Sequence, residues 1–94
     1  MQVRWLKRAL RNLKEEAEFI AQDDPRAAAQ IVTRIEHAVA MLRDHPHLGR
    51  VGRLPGTREL VVPDTPCLIP YRVRGQQIEI LRVFHGGRRW PSAL

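Results

Sequence analysis

The sequence has one cysteine, few aromatic residues and no long apolar run. Cys67 cannot form an internal disulfide, and no cluster of cysteines and histidines surrounds it, so we expect a fold that is stable without disulfides. No stretch approaches the roughly 20 apolar residues that a membrane-spanning helix needs. The first residues are too highly charged for a secretory signal. These absences predict a cytoplasmic protein with no membrane partner.

The motifs of several enzyme classes are also missing. There is no phosphate-binding GxxxxGKS/T loop and no dinucleotide-binding GxGxxG. Neither the GxSxG of serine hydrolases nor the HExxH of zinc proteases occurs. His45 and His47 lie two residues apart in a loop, but no third ligand is near them in the sequence. We therefore expect neither a metal nor another cofactor.

Positive charge is concentrated in the second half of the chain. The 94 residues carry 16 Lys+Arg against 10 Asp+Glu, a formal net charge of +6. Residues 48–94 hold 8 basic and 3 acidic side chains, and all 8 basic ones are arginine. A guanidinium donates in a planar fork that fits phosphate and carboxylate groups. The asymmetry favours a nucleic acid, the ribosome or an acidic protein segment as partner, with a merely solubilising surface as the alternative.

Length and spacing predict one domain over residues 1–94 that begins with a short edge strand and a helical hairpin. The first helix has apolar residues at steps of 4, 3, 4 and 3: Leu6, Leu10, Leu13, Ala17 and Ile20. The second helix repeats that pattern: Ala28, Ile31, Ile35, Ala38 and Leu42. Between them, Asp24 is a good N-cap and Pro25 suits the first helical position. Pro46 ends the second helix.

The rest of the chain predicts a loop and three strands. Two prolines and three glycines within residues 45–56 indicate the loop. Residues 57–62, 67–74 and 77–85 are predicted to be strands. Pro70 implies either a bulge or a position whose backbone nitrogen faces away from a neighbouring strand. The predicted fold is α+β with the order βααβββ. The helical hairpin covers one face of a small, mostly antiparallel sheet and leaves the other face uncovered.

The C-terminal run contains the strongest candidate for a site. His85 ends a strand, and Gly86 and Gly87 turn the chain before more cationic residues. We expect five side chains to converge on one anionic group: Arg58, Arg82, His85, Arg88 and Arg89. Such a set suits RNA cleavage without a metal, because His85 could move protons, Arg58 and Arg82 could stabilise the phosphorane, and Trp90 could stack on a base. The alternative is that these arginines only pair with Asp64, Glu59 or Glu79, or that they are surface charge without a site.

Several stretches together resemble a known family over essentially the whole chain. They are Asp24-Pro25-x-Ala-Ala, Pro46-His47-Leu48-Gly49-Arg50, Gly56-Thr57-Arg58-Glu59-Leu60-Val61-Val62, Tyr71-Arg72-Val73 and Ile80-Leu81-Arg82-Val83-Phe84-His85-Gly86-x-Arg88-x-Trp90-Pro91. With the βααβββ order, they resemble the RelE/ParE toxin superfamily. The resemblance implies the toxin of a type II toxin–antitoxin pair, of the kind linked to plasmid stabilisation and growth inhibition, held inactive by a cognate acidic antitoxin. Nothing in the pattern demands a homodimer, and that question stays open.

The superfamily has two activities, and the resemblance implies one of them. ParE-like members inhibit DNA gyrase, whereas RelE-like members cut mRNA in the ribosomal A site without a metal. Arg58 and Arg82 match arginines that RelE-like nucleases use around the scissile phosphate, and His85 matches a histidine near the strand end in some of those nucleases. Gly86 and Gly87 stand where those nucleases commonly carry a tyrosine, and their paired lysines are missing, which favours the ParE-like activity. The other residues that we expect to contact the target are Arg50, Arg53, Arg72, Arg88, Arg89 and Trp90.

Overall fold

Two helices form a hairpin at the start of the computed structural model, which describes residues 1–86. Helix α1 is Lys7–Ala21 and α2 is Pro25–Ala40, followed by a 3-10 turn at Met41–Arg43. Asp24 caps α2 by accepting a hydrogen bond from the Ala27 backbone N–H at 3.1 Å. Pro25 follows at a position where a missing N–H costs little. The predicted hairpin and its capping residue are confirmed.

Within residues 1–86, six strands build a mixed sheet. They are β1 (Gln2–Trp5), β2 (Arg50–Val51), β3 (Arg58–Val61), β4 (Cys67–Arg74), β5 (Gln77–Ile80) and β6 (Phe84–His85). The order across the sheet is β1-β5-β4-β3-β2, and β6 pairs with β4. Only the β1–β5 pair is parallel among these strands. The α+β architecture is as predicted, while β2 lies in the segment that the prolines and glycines had indicated as a loop.

A bulge divides the last predicted strand into β5 and β6. Tyr71 pairs with Ile80, and Leu68 pairs with Phe84. Between these two pairs the chain advances three residues along β4 (71 − 68) but four residues from β5 to β6 (84 − 80). One extra residue is therefore inserted opposite Ile69 and Pro70. Pro70 has no N–H to donate across this gap, although its carbonyl accepts from the Leu81 N–H at 3.0 Å. The bulge predicted from Pro70 is confirmed.

The apolar core lies between the helices and one face of the sheet. Because paired residues on adjacent strands point to the same face, this face carries Leu60 with Ile69, Tyr71 with Ile80, and Val73 with Ile78. The helices contribute Ala9, Ile35, Ala38, Val39 and Leu42. Cys67 is also buried here, as expected for a small apolar side chain. We call this side of the sheet the covered face.

Membrane spans and metal clusters are both absent from the described residues. No helix in residues 1–86 is both long and apolar enough to cross a membrane. In the same part of the chain, His, Cys, Asp and Glu side chains form no group of three or more that could hold a metal ion.

Candidate functional site

The other side of the sheet carries an array of arginines over two carboxylates. Strand alternation directs the partners Arg72 and Glu79, and Arg50 and Glu59, away from the helices. We call this side the open face and define it by the following residues: Arg4, Arg50, Arg53, Glu59, Arg72, Arg74 and Glu79. Both glutamates are almost completely buried, at 3 % and 4 % exposed. Since the helices lie on the covered face, arginine side chains provide much of this burial.

Glu79 is the centre of the first cluster, near the β1 edge of the sheet. The Arg72 Nε donates to the Glu79 Oε1 at 2.6 Å, and the Arg74 Nη1 lies 3.8 Å from the same oxygen. The Arg4 Nη1 lies 3.9 Å from Oε2. The hydrogen bond from Arg72 lowers the pKa of Glu79 below its ordinary value of 4.5, outweighing the effect of burial. This carboxylate is therefore charged at neutral pH. It holds Arg72 by a hydrogen bond and attracts Arg4 and Arg74.

Glu59 is the centre of the second cluster, near the β2 edge. The Arg50 Nε and Nη2 donate to Oε1 at 3.3 and 3.1 Å. The Arg53 backbone N–H and Nε donate to Oε2 at 3.0 and 3.1 Å. Burial alone would raise the pKa of Glu59, but these hydrogen bonds leave it lower than 4.5. Together the two clusters place five arginines over two glutamates, which leaves 5 − 2 = 3 positive charges in excess.

Arg58 lies away from this array and fixes a loop. Its Nη1 donates to the Gly49 carbonyl at 2.8 Å and to the His47 carbonyl at 3.4 Å. The same loop is held by Tyr71, whose hydroxyl accepts from the Gly49 N–H and donates to the Pro46 carbonyl, both at 2.8 Å. Burial raises the pKa of Tyr71 above 10, against the opposing effects of the Gly49 N–H and the Arg58 charge. The guanidinium of Arg58 thus has a structural role in presenting residues 46–49.

Arg82 and His85 lie near the bulge, at the other end of β4. The Arg82 Nε donates to the Asn12 Oδ1 of α1 at 2.8 Å, and its guanidinium carbon lies 4.8 Å from the centre of the Phe84 ring. The Val83 N–H, displaced from the ladder by the bulge, also donates to Asn12 Oδ1, at 3.3 Å. In the antiparallel pairing of β6 with β4, His85 lies opposite Cys67.

The expected convergence of the arginines with His85 does not occur among the described residues. Arg58 lies opposite Tyr71 of β4, and His85 lies opposite Cys67 of the same strand. Tyr71 and Cys67 are four positions apart, so Arg58 and His85 are separated by about 13 Å along the strand direction. The distance between the strands adds to this separation. The reason is that β3 and β6 flank β4 on opposite sides, and Arg58 and His85 lie opposite different positions along it. Arg88, Arg89 and Trp90 lie outside the described residues.

Of the predicted target-binding residues, Arg50, Arg53 and Arg72 come together on the open face. Sequence reasoning missed Arg4 and Arg74, which belong to the same array. The sequence did contain a signal for Arg74, namely the two-residue turn Gly75-Gln76. Such a turn pairs Arg74 with Gln77 and Arg72 with Glu79, which places both arginines on the same face as Glu79. Arg4 could not be found in this way, since its strand joins β5 only through the parallel pairing of distant segments.

An apolar groove of about 400 Å³ lies between the end of α2 and the β3 edge of the sheet. Three large apolar side chains beside it are about half exposed: Met41 (53 %), Leu48 (49 %) and Val61 (51 %). Val61 lies beyond the end of β2, which pairs only with Arg58 and Glu59. An exposed apolar groove at a sheet edge is typical of a surface that receives a partner segment.

Comparison with known proteins identifies the family. Residues 3–90 match the family described as the ParE toxin of the type II toxin–antitoxin system parDE. The chain belongs to the ParE toxin family. It is a toxin of the RelE/ParE superfamily, and the RelE/ParE resemblance seen in the sequence is confirmed.

Individual relatives agree with this membership. The protein Y4kP of Sinorhizobium fredii, named provisionally as a toxin, is 49 % identical over 98 % of this chain and 95 % of its own. Toxin RelE1 of Caulobacter vibrioides is 35 % identical over 84 % of this chain and 86 % of its own. Toxin RelE2 of the same organism is 33 % identical over 93 % of this chain and 97 % of its own.

Two solved structures share the ParE-family fold described above. The chromosomal ParDE system from P. aeruginosa superposes with a TM-score of 0.81 at 28 % identity, covering 90 % of this chain and 95 % of that one. The RelBE2 toxin–antitoxin complex from Mycobacterium tuberculosis gives a TM-score of 0.61 at 27 % identity, covering 89 % and 95 %.

Proposed function

We propose that this ParE-family toxin inhibits growth in the cytoplasm by binding DNA gyrase, and that a cognate antitoxin neutralises it. The supporting observation is the separation of Arg58 from His85 by about 13 Å along β4. Metal-free RNA cleavage needs a proton-transfer group and phosphate-binding cations around one phosphate. Arg58 instead donates to two loop carbonyls. The arrangement favours a protein that acts by binding.

The family match and the solved structures favour the same target. The matched family is named for ParE, and the ParDE structure superposes with a higher TM-score, 0.81, than the RelBE2 complex, 0.61. Because these two structures differ little in identity to the chain, at 28 % and 27 %, the difference in TM-score reflects backbone geometry rather than closeness of sequence.

A supercoiling assay tests the gyrase proposal. Purified toxin is added to gyrase, ATP and relaxed plasmid, and the DNA is examined for loss of supercoiling and for cleaved plasmid trapped on the enzyme. We expect both effects, and we expect the antitoxin to reverse them. Full supercoiling activity with micromolar toxin would contradict the proposal.

Ribosome-dependent mRNA cleavage is the second candidate, and the relatives named RelE1 and RelE2 favour it. Arg82 and His85 lie close together in sequence, on either side of Phe84, and would carry that chemistry with Arg58. Primer extension on translated mRNA distinguishes the candidates. Codon-positioned cuts that disappear in Arg82→Ala and His85→Ala would support cleavage and replace the gyrase proposal, whereas intact mRNA leaves gyrase as the target.

The antitoxin proposal rests on the groove between α2 and β3. Its apolar surface would accept one side of an amphipathic segment, while Arg50, which also lines the groove, suits acidic residues on that segment. Solved relatives include a toxin–antitoxin complex. Growth rescue by the co-expressed neighbouring antitoxin gene measures the interaction. Val61→Asp should abolish rescue, and Val51→Asp, on the neighbouring β2 and outside the groove, should leave it intact.

A further inference from the structure

The arginines of the open face extend across the whole width of the sheet. Arg4 lies on β1 and Arg50 on β2, which are the two edge strands, and Arg72 and Arg74 lie on β4 between them. Four inter-strand spacings separate the edges, so the array is about 19 Å wide. The positive charge therefore forms a broad band of two clusters, around Glu79 and Glu59, rather than a single pocket.

The guanidinium groups in this band lie beside the two glutamates and are still accessible. The side chains of the five arginines are between 39 % and 70 % exposed, while the two carboxylates beneath them are only 4 % and 6 % exposed. Arg50, Arg53 and Arg72 donate hydrogen bonds to the glutamates. Arg4 and Arg74 lie 3.9 and 3.8 Å from Glu79 as looser ion pairs. Because hydrogen bonds already hold Arg50, Arg53 and Arg72, an anionic ligand loses less conformational entropy when it binds these three side chains.

We propose that the open face binds the sugar-phosphate backbone of DNA. Phosphate groups match the fork of arginine, and their regular spacing along a strand suits a broad band of cations. If gyrase is the target, as the proposed function has it, the toxin would recognise gyrase together with the DNA that the enzyme holds. This last step rests on the proposed function.

The chemistry of the face disfavours a protein partner there. The residues that contribute most to stable protein interfaces are enriched in Trp, Tyr and Arg, and they enter well-packed pockets from which water is excluded. The five arginines of the open face are instead 39–70 % exposed and have no aromatic residue among them. On β1, β5 and the second half of β4, the open face presents Gln2, Arg4, Arg72, Arg74, Gln77 and Glu79. These side chains supply charge and hydrogen-bond donors without an apolar anchor. The apolar groove, by contrast, lies at the β3 edge, beyond this part of the sheet.

Binding of a labelled DNA duplex, followed by fluorescence anisotropy, tests the inference. The test variant is Arg4→Gln with Arg74→Gln, and the control is Arg26→Gln with Arg43→Gln, which removes the same charge from exposed positions on the helical side. The titrations run between about 50 and 200 mM salt, because the affinity of a protein that contacts phosphates falls steeply as the salt concentration rises through this range. We expect the test variant to bind roughly tenfold more weakly, with a salt slope smaller by about 2, and the control to bind like the wild type.

Three results would overturn the inference. They are no duplex binding at the lowest salt concentration, equal weakening in both variants, and stronger competition by polyglutamate than by unlabelled duplex. Tighter binding of single-stranded RNA of the same length would transfer the site from DNA to RNA.

The gyrase assay separates this inference from the proposed function. If the toxin binds duplex through the open face but does not affect gyrase, the proposed target is wrong and the DNA-binding face stands. If the toxin inhibits gyrase and the Arg4/Arg74 variant inhibits it equally well, the target stands and the recognition of gyrase-bound DNA is wrong. Weaker inhibition by that variant alone supports both.

Discussion

The two faces of one sheet bury their side chains by different means. On the covered face, helices lie over apolar residues such as Ile78 and Ile80, which are 0 % exposed. On the open face, Glu59 and Glu79 are almost as deeply buried, but beneath arginine side chains. The first face obtains its stability from removing apolar area from water, whereas the second exchanges hydration for charge-assisted hydrogen bonds.

This difference separates stability from recognition within a single strand. Along β5, Ile78 and Ile80 contribute to the core, and Glu79 between them organises the cationic band. Substitutions on the covered face should therefore unfold the protein, and those at the exposed ends of the arginines should change binding alone.

The largest effect is expected on the covered face. Ile80→Ala removes a fully buried side chain that pairs with Tyr71 and packs in the core. Loss of this apolar contact and the resulting cavity should lower the free energy of unfolding by about 4 kcal/mol. Urea unfolding followed by circular dichroism measures the change. Gln77→Ala, at the exposed start of the same strand, should change it by less than about 0.5 kcal/mol.

A steric test at the edge of the covered face should give the next largest effect. A Cβ at Gly49 would lie 2.6 Å from Tyr71 Cε1, 2.8 Å from its hydroxyl oxygen and 2.9 Å from the Glu59 carbonyl oxygen. Because one of these atoms is backbone and the tyrosine is buried, Gly49→Ala should cost about 3 kcal/mol in unfolding free energy. Urea unfolding again measures the loss.

Gly75→Ala is the matched control for that steric effect. Gly75 has φ of +60°, but a Cβ at this position would have no atom within 4 Å, so only backbone strain of about 1–2 kcal/mol is expected. If both variants lose the same stability in urea, the close approach of Gly49 to Tyr71 has no energetic importance.

The sequence was sufficient to predict the elements that depend on local patterns. Apolar spacing identified both helices, Asp24 and Pro25 marked the start of α2, and Pro70 indicated the bulge. The site was less predictable because it depends on long-range pairing. The parallel β1–β5 pair brings Arg4 to Glu79, 75 positions away (79 − 4), and no local pattern encodes that contact. Arg58 was expected near the phosphate, yet two loop carbonyls bind its guanidinium.

A pH titration should give a smaller effect, confined to acid. The folded-state pKa values of Glu59 and Glu79 lie below 4.5, so the unfolded chain takes up protons more readily than the folded one. Their contribution to stability is therefore complete above about pH 4.5 and is lost as the pH falls through the folded pKa.

Urea unfolding at a series of pH values measures this contribution. Glu79→Gln should flatten the acid limb of the stability profile, since it removes one of the two groups with a lowered pKa. Glu18→Gln, whose carboxylate lies 3.9 Å from Lys14 on the exposed surface of α1, should leave the profile unchanged. An acid limb as steep in Glu79→Gln as in the wild type would show that other groups cause the acid sensitivity.

The smallest effect on stability is expected at the outer arginines of the open face. Arg74 is 70 % exposed and 3.8 Å from Glu79, whereas Arg72 is 39 % exposed and donates at 2.6 Å. Arg74→Gln should therefore change the free energy of unfolding by less than about 0.5 kcal/mol, because exposed ion pairs contribute little. Arg72→Gln should cost more, since it removes the hydrogen bond that contributes most to the lowered pKa of Glu79. Equal losses in thermal unfolding would mean that the outer arginines also support the fold, and the two faces would then not separate stability from recognition.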